Sequence, residues 1–274
     1  MRHVLTALII GILLFAGSAL HAQAIWGKAT YESKVSLGER IGPREMSEAE
    51  RARRKKEIEE RLSNTYTLVF DASSSLFTAN PKLQSETKGK GRFLMAMMNS
   101  STPLAVYKNS KENRYVGQTD LLGKLFLVED SLARPLWRLE EETKMVGDFF
   151  CQKATLVKTV PVFRRPLAPG RRSEEQQQQA ETEEVVVTAW YTPDVPVGQG
   201  PAEYWGLPGL IIEVSDNRTV LACTSLSLQK EKLEIRAPKK GKKISREGYE
   251  ILRARKMKQM RENWRQRRSE KRRF

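Results

Sequence analysis

Short runs in which apolar and polar residues alternate, each closed by a turn cluster, recur along most of the chain. That pattern leaves few folds open. Residues 64–71 are the clearest case, with Tyr66, Leu68 and Phe70 on one face, the period-two spacing of a strand with one buried side. Asp71, Ala72, Ser73 and Ser74 form a turn cluster, and the β pattern resumes over 75–78, which predicts a hairpin. Further strand candidates lie at 27–37, 104–108, 113–116, 121–129, 137–139, 148–160, 184–191, 209–214 and 219–228. No βαβ alternation or GxGxxG-type loop interrupts them. Strands a few residues long, joined by turns, build antiparallel sheets. The predicted fold is therefore mainly β: an antiparallel, curved sheet or half-barrel, with a charged helical insert and a C-terminal basic helix.

The insert is the segment 46–62, which is almost entirely charged. Ser47 is placed to cap it, and Glu50–Arg54 and Lys55–Glu59 stand at i,i+4, so it reads as a solvated helix laced with ion pairs. Residues 164–183 are polar, contain Pro and Gly and include a four-Gln run. They lie between two strong strand candidates and are expected to form an exposed hairpin loop.

Arg2 and His3, the uncharged apolar run 4–16 and the sequence Ala22-Gln23-Ala24 together resemble an export signal with an A-x-A cleavage site. The apolar run is shorter than the ~20 residues that span a bilayer. Residues 1–24 are thus expected to be removed, with the remaining chain periplasmic or outer-membrane associated. A β domain is expected over 25–241 and a helical tail over 242–274.

Composition narrows the chemistry. His3 and His21 are the only histidines, and both lie in the presumed signal. Ser-His-Asp and Cys-His mechanisms need an imidazole, and common zinc sites use His or clustered Cys. No catalytic residue, metal or cofactor is assigned. The Met95, Met97 and Met98 cluster could offer thioethers to Cu(I), but its neighbours Phe93 and Leu94 favour a core segment. Cys151 and Cys223 are the two cysteines. In an exported protein they form either one disulfide or two separate buried thiols.

Residues 192–208 hold Pro193, Pro196, Pro201 and Pro208 together with Gly198, Gly200 and Gly206. Proline removes backbone donors and glycine admits φ > 0, so this cannot be a regular central strand. It is expected to be an ordered crossing loop pinned by Trp190, Tyr191, Tyr204 and Trp205. These aromatics either cap one end of the sheet or form a ligand or partner surface, in which Leu207 and Pro208 would join them.

The run from Ala189-Trp190-Tyr191-Thr192-Pro193 to Gly206-Leu207-Pro208-Gly209-Leu210-Ile211 resembles the signature of the GLPGLI family, secreted Bacteroidota-type proteins of unestablished role. The segments 123–130, 135–144, 151–155 and 235–241 resemble further blocks of that family. The resemblance supplies no catalytic residues. It implies an envelope role, because members are often encoded near outer-membrane TonB-dependent transporters.

Residues 238–274 carry sixteen Lys or Arg against four Glu, so they account for twelve of the net +15 charges. Ser245 is placed to cap a helix, and Tyr249, Leu252, Met257, Met260 and Trp264 fall roughly on one stripe. The stripe can pack on the β domain, or the helix can lie on an anionic membrane surface. Ending the chain at Gly241 is expected to leave the core whole. Export makes nucleic acid a poor partner.

The reading that follows is an exported, non-catalytic binding or accessory protein of the bacterial cell envelope, with an outer-membrane transporter or an anionic membrane as partner. Two rivals remain. A carboxylate-based glycan hydrolase would use Asp194, Glu203 and Glu213, two of them about 5–10 Å apart. A lipophile carrier would hold an apolar cavity in a half-open sheet.

Overall fold

The structure is a computed structural model that describes residues 25–35, 46–80, 103–161, 182–216 and 219–270. Twelve strands form one sheet: β1 (Trp26–Val35), β2 (Asn64–Phe70), β3 (Ser74–Ala79), β4 (Ala105–Asn109), β5 (Arg114–Leu121), β6 (Lys124–Ser131), β7 (Arg138–Val146), β8 (Phe149–Pro161), β9 (Thr182–Thr192), β10 (Leu210–Asp216), β11 (Thr219–Gln229) and β12 (Lys242–Ser245). Helix α1 (Glu48–Leu62) lies between β1 and β2, and α2 (Arg246–Glu270) follows β12.

The order across the sheet is β12-β6-β5-β4-β3-β2-β1-β11-β10-β9-β8-β7. Every pairing is antiparallel except that of β12 with β6. The fold class expected from the alternation is the one found: mainly β, antiparallel, with two helices. The sheet is curled without closing. Glu203, in the loop between β9 and β10, is ion-paired both to Lys158 of β8 and to Arg246, the residue just after β12. β8 and β12 stand near opposite edges of the sheet. Flat strands spaced ~4.8 Å apart would hold them roughly 50 Å from each other, so one side chain reaches both only if the sheet bends around it.

The concave face carries the core. Alternation sends Ala29 and Tyr31 of β1, Tyr66, Leu68 and Phe70 of β2, Phe77 of β3, Val106 of β4, and Val187, Ala189 and Tyr191 of β9 to that side, all buried. Tyr66 and Phe77 stack at 4.8 Å between ring centroids. A smaller cluster on the convex face, Tyr107, Val116 and Leu127, is covered by Ile235 and Ala237 of the segment between β11 and β12.

α1 starts as its sequence dictates. Ser47 and Glu50 form a capping box, the Ser47 amide donating to Glu50 Oε2 at 3.0 Å and the Glu50 amide to Ser47 Oγ at 3.3 Å. Those contacts hold the Glu50 carboxyl below its usual range, the Ser47 side chain contributing most. Glu50 is thereby committed to the cap, and Arg54 contacts Met46 Sδ at 4.0 Å. The expected Lys55–Glu59 pair is present at 3.9 Å.

The chain past Gly241 is more than an appendage. β12 adds a strand to the edge beside β6, and Ser245 Oγ caps α2 by accepting from the Gly248 amide at 3.1 Å. Tyr249 and Met257 of α2 are buried in the main core, with Leu252 and Met260 packed against it. Four of the five residues of the expected stripe therefore lie on the β domain, and a chain ended at Gly241 would lose core residues.

β8 and β9 pair as far as Pro161 with Thr182, which is consistent with a hairpin there. Residues 162–181 of its connection, the expected signal at 1–24 and the methionine cluster at 95–98 lie outside the described residues. No described helix is long and apolar enough to cross a membrane.

Candidate functional site

The Pro- and Gly-rich loop between Thr192 and Leu210 fills the concave face. Its backbone is satisfied by bonds that only this irregular path allows. The Val197 amide donates to Val195 O at 2.7 Å, Gln199 to Val197 O at 2.8 Å, and Gly206 to Gly198 O at 2.9 Å. Leu210 and Ile211 then bond back to Val195 O and Gln199 O, each at 3.0 Å. Val195, Val197 and Leu207 are buried beneath it. Gly209 is required by close approach, because a Cβ there would collide with the Thr192 carbonyl. Gly206 is required by its φ of 89°.

Two polar groups pin the loop and its exit into β10 from the sheet. Tyr31 Oη donates to Ile211 O at 2.6 Å. Lys108 of β4, only 1% exposed, donates through Nζ to Gly200 O at 2.7 Å and Tyr204 O at 2.8 Å. Burial pushes the Lys108 ammonium down to about 7, against the opposing pull of the Glu203 carboxylate. Burial also raises the Tyr31 and Tyr204 hydroxyls above their ordinary range. Sequence reasoning missed Lys108. A lysine within a five-residue strand candidate looks like a solvent-facing position, and only alternation against buried Val106 marks it as inward.

The six residues expected as a ligand or partner surface separate into three groups. Tyr191 and Tyr204 are buried under the loop, Tyr191 donating to Gln152 Oε1 at 2.7 Å and Tyr204 offering its carbonyl to Lys108. Trp190 lies on the opposite, convex face, where Lys144 Nζ sits 4.3 Å from its ring centroid. Leu207 is likewise buried in the core, while Trp205 and Pro208 stay with the loop's outer side, and Pro208 is exposed.

Trp205 and Leu207 help line a shallow cleft of about 360 Å³ with Arg134, Gly198, Gln199 and Gly206. Ala72 and Ser110, from the β2–β3 and β4–β5 turns, complete it. Trp205 is held at two points: its indole Nε1 donates to Ala133 O at 3.2 Å, and its backbone carbonyl accepts from Trp137 Nε1 at 2.8 Å. Gln199 is 2% exposed, and its Oε1 has no hydrogen-bond partner among the described residues.

The three candidate carboxylates are arranged differently from a catalytic pair. Glu203 is held by Lys158 and Arg246 on the concave side. Glu213 pairs with Lys144 at 2.9 Å and stands across from Trp190 on the convex side. Asp194 is exposed. None of the three lines the cleft.

Cys151 and Cys223 are both free, the second of the two alternatives the sequence left open. Cys151 lies on β8 and Cys223 on β11, with β9 and β10 between them. That is roughly 14 Å of sheet, twice the ~7 Å Cα limit of a disulfide. Burial pushes both thiols up to about 11, which leaves them poor nucleophiles. Among the described residues no group of three or more His, Cys, Asp or Glu is placed to hold a metal ion.

A family model described as a protein of unknown function, Porph_ging, matches residues 137–213. The matched stretch runs from Trp137 through the Pro- and Gly-rich loop into β10 and includes Gly198, Gln199, Trp205, Gly206 and Leu207 of the cleft, but not Ala72, Ser110 or Arg134. No curated protein matches the chain. Two solved structures of PNGF-II, in C2 and P21 space groups, are similar at 14% and 15% identity over 84% of this chain. The TM-score is 0.46 in both cases, too low to carry an argument. The chain spans about a third of the length of those proteins, 32% and 33%.

Proposed function

We propose that the chain is an exported, non-catalytic binding or accessory protein of the bacterial cell envelope, and that the cleft beside Trp205 is its recognition surface. The observation that carries this reading is the contrast within one loop. Its backbone is hydrogen-bonded and pinned by Lys108 and Tyr31, while Arg134 and the Gln199 side chain beside it are left without protein partners among the described residues. A surface held in advance loses little freedom when a ligand arrives.

The rival readings gain less support. A glycan hydrolase needs two carboxylates facing one substrate, and Glu203 and Glu213 are each held by a lysine. A lipophile carrier needs an empty apolar interior, and the loop packs Val195, Val197 and Leu207 into the described core.

The residues 1–24 support export by their composition, and the basic, solvent-facing side of α2 suits an anionic membrane or the acidic periphery of an outer-membrane transporter. Nucleic acid has no place in this reading. The test is to express the full precursor in its native type of host, fractionate the cells and determine the mature N-terminus. The expected product is an envelope protein beginning at Gln23 or Ile25. A cytosolic chain that keeps Met1 or its neighbours would contradict the proposal.

A further inference from the structure

On the reading of the cleft as a recognition surface, we infer that its ligand is an acidic sugar: a hydroxylated ring bearing a carboxylate, as found in an anionic polysaccharide. Three groups converge there with complementary demands. Arg134 is exposed, and no carboxylate among the described residues pairs with it. Its planar fork of donors matches a carboxylate in two parallel hydrogen bonds. This side chain lies against the loop at Gly206, where a Cβ would sit 3.7 Å from Arg134 Cγ, in ordinary van der Waals contact.

Gln199 supplies the second demand. Its backbone amide and carbonyl are both used inside the loop, to Val197 and from Ile211. The side chain is nevertheless drawn in until Oε1 is buried with no donor among the described residues. Buried acceptors are nearly always paired, and a ligand hydroxyl is the donor that fits. Trp205 supplies the third: its indole Nε1 donates to Ala133 O and its backbone carbonyl accepts from Trp137, which holds the ring as the flat apolar partner for the C–H face of a sugar ring.

A peptide carrying a free C-terminal carboxylate would satisfy Arg134 but asks for more. The remaining lining is Ala72, Ser110, Gly198, Gly206 and the edge of Leu207, so there is no deep apolar recess for a peptide side chain. The Ser110 hydroxyl already donates to Ser73 O at 3.1 Å. The volume of about 360 Å³ is at the lower end for a small-molecule site.

The experiment is calorimetric titration of the purified protein with three probes: an oligogalacturonate, a neutral maltooligosaccharide of equal length, and a tetrapeptide with a free carboxylate. The oligogalacturonate should bind about tenfold or more tightly than the neutral sugar, and added salt should weaken it. Arg134→Met, at an exposed position that leaves the fold alone, should remove about a tenfold preference, and Arg134→Lys should restore part of it. Trp205→Ala should weaken both sugars together. Equal affinity for the neutral sugar, preference for the peptide, or no sugar binding at all would overturn the inference. If a different ligand is found and its binding is lost in Trp205→Ala, the recognition surface stands and only the sugar assignment fails. If a ligand ignores both Trp205→Ala and Arg134→Met, the recognition surface fails with it.

Discussion

Replacing Lys108 with methionine should change how stability depends on pH, in a direction fixed by burial. The side chain is enclosed, and its ammonium is pushed down to about 7, whereas an unfolded lysine titrates near ~10.4. Below about pH 7 both states hold the proton, and the native state bears the full penalty of a buried charge. Above about pH 7 the native lysine sheds its proton while the unfolded chain keeps it, so the unfolded state binds more protons and stability rises with pH.

One proton of difference is worth about 1.4 kcal/mol per pH unit, or about 2 kcal/mol between pH ~7 and ~8.5. Beyond that the thiols of Cys151 and Cys223, both raised to about 11, act in the opposite direction, because the folded state then holds protons that the unfolded state has released. The clean window therefore ends near the unfolded thiol value of ~8.5. Lys108→Met removes the rise. It also orphans Gly200 O and Tyr204 O, each costing about 1–3 kcal/mol, partly offset by relief of the buried charge. Near pH 8.5 the variant should be less stable by about 2–4 kcal/mol. Urea unfolding of both proteins at half-unit intervals of pH reads both effects. Parallel pH profiles, or a variant as stable as the parent near pH 8.5, would refute the reasoning.

Further outcomes follow from other contacts. Gly209→Ala forces a methyl into the Thr192 carbonyl and should lower stability by about 3 kcal/mol or more, visible as a large fall in melting temperature. A chain ended at Gly241 loses β12, Tyr249 and Met257 from the structure. At about 1.5–3 kcal/mol per large buried side chain it should melt well below the full chain, and equal melting would show that α2 adds nothing to the core. Cys151, fully buried, should react with a thiol reagent only on unfolding, and reductant should leave the melting temperature unchanged. The full chain should sediment with anionic vesicles and be released as salt shortens the screening length; indifference to vesicles at low salt would remove the membrane from its partners.

The strands were legible because the signal is local. Alternation such as Tyr66, Leu68 and Phe70 needs only a sheet with one dry face, and every proposed strand has a counterpart. The Ser47 cap was legible for the same reason. Of its two expected ion pairs Lys55–Glu59 formed and Glu50–Arg54 did not, since Glu50 serves either the cap or Arg54 and the cap lies closer. The site was legible only in outline. Proline and glycine spacing announced an ordered loop, but the direction of each aromatic depends on strand parity and on a register shift between Ile211 and Glu213, which puts Trp190 across from Glu213 on the convex side. Lys108 and Arg134 come from stretches of sequence far from Gln199, and only the curl of the sheet brings them to its loop. The reach of the β domain past Gly241 was hidden because β12 is four residues long and gains its edge by a parallel pairing with a distant strand.

The central claim is that the signature loop is a prefolded surface. Hydrogen exchange across 193–211 tests it most directly. The amides of Val197, Gln199, Gly206, Leu210 and Ile211 are all donors to loop carbonyls, so they should exchange as slowly as those of β1 and β2, at the rate of global unfolding. Exchange within seconds while β1 and β2 remain protected would mean that the loop opens freely, and the cleft beside Trp205 would no longer be a surface formed before its ligand arrives.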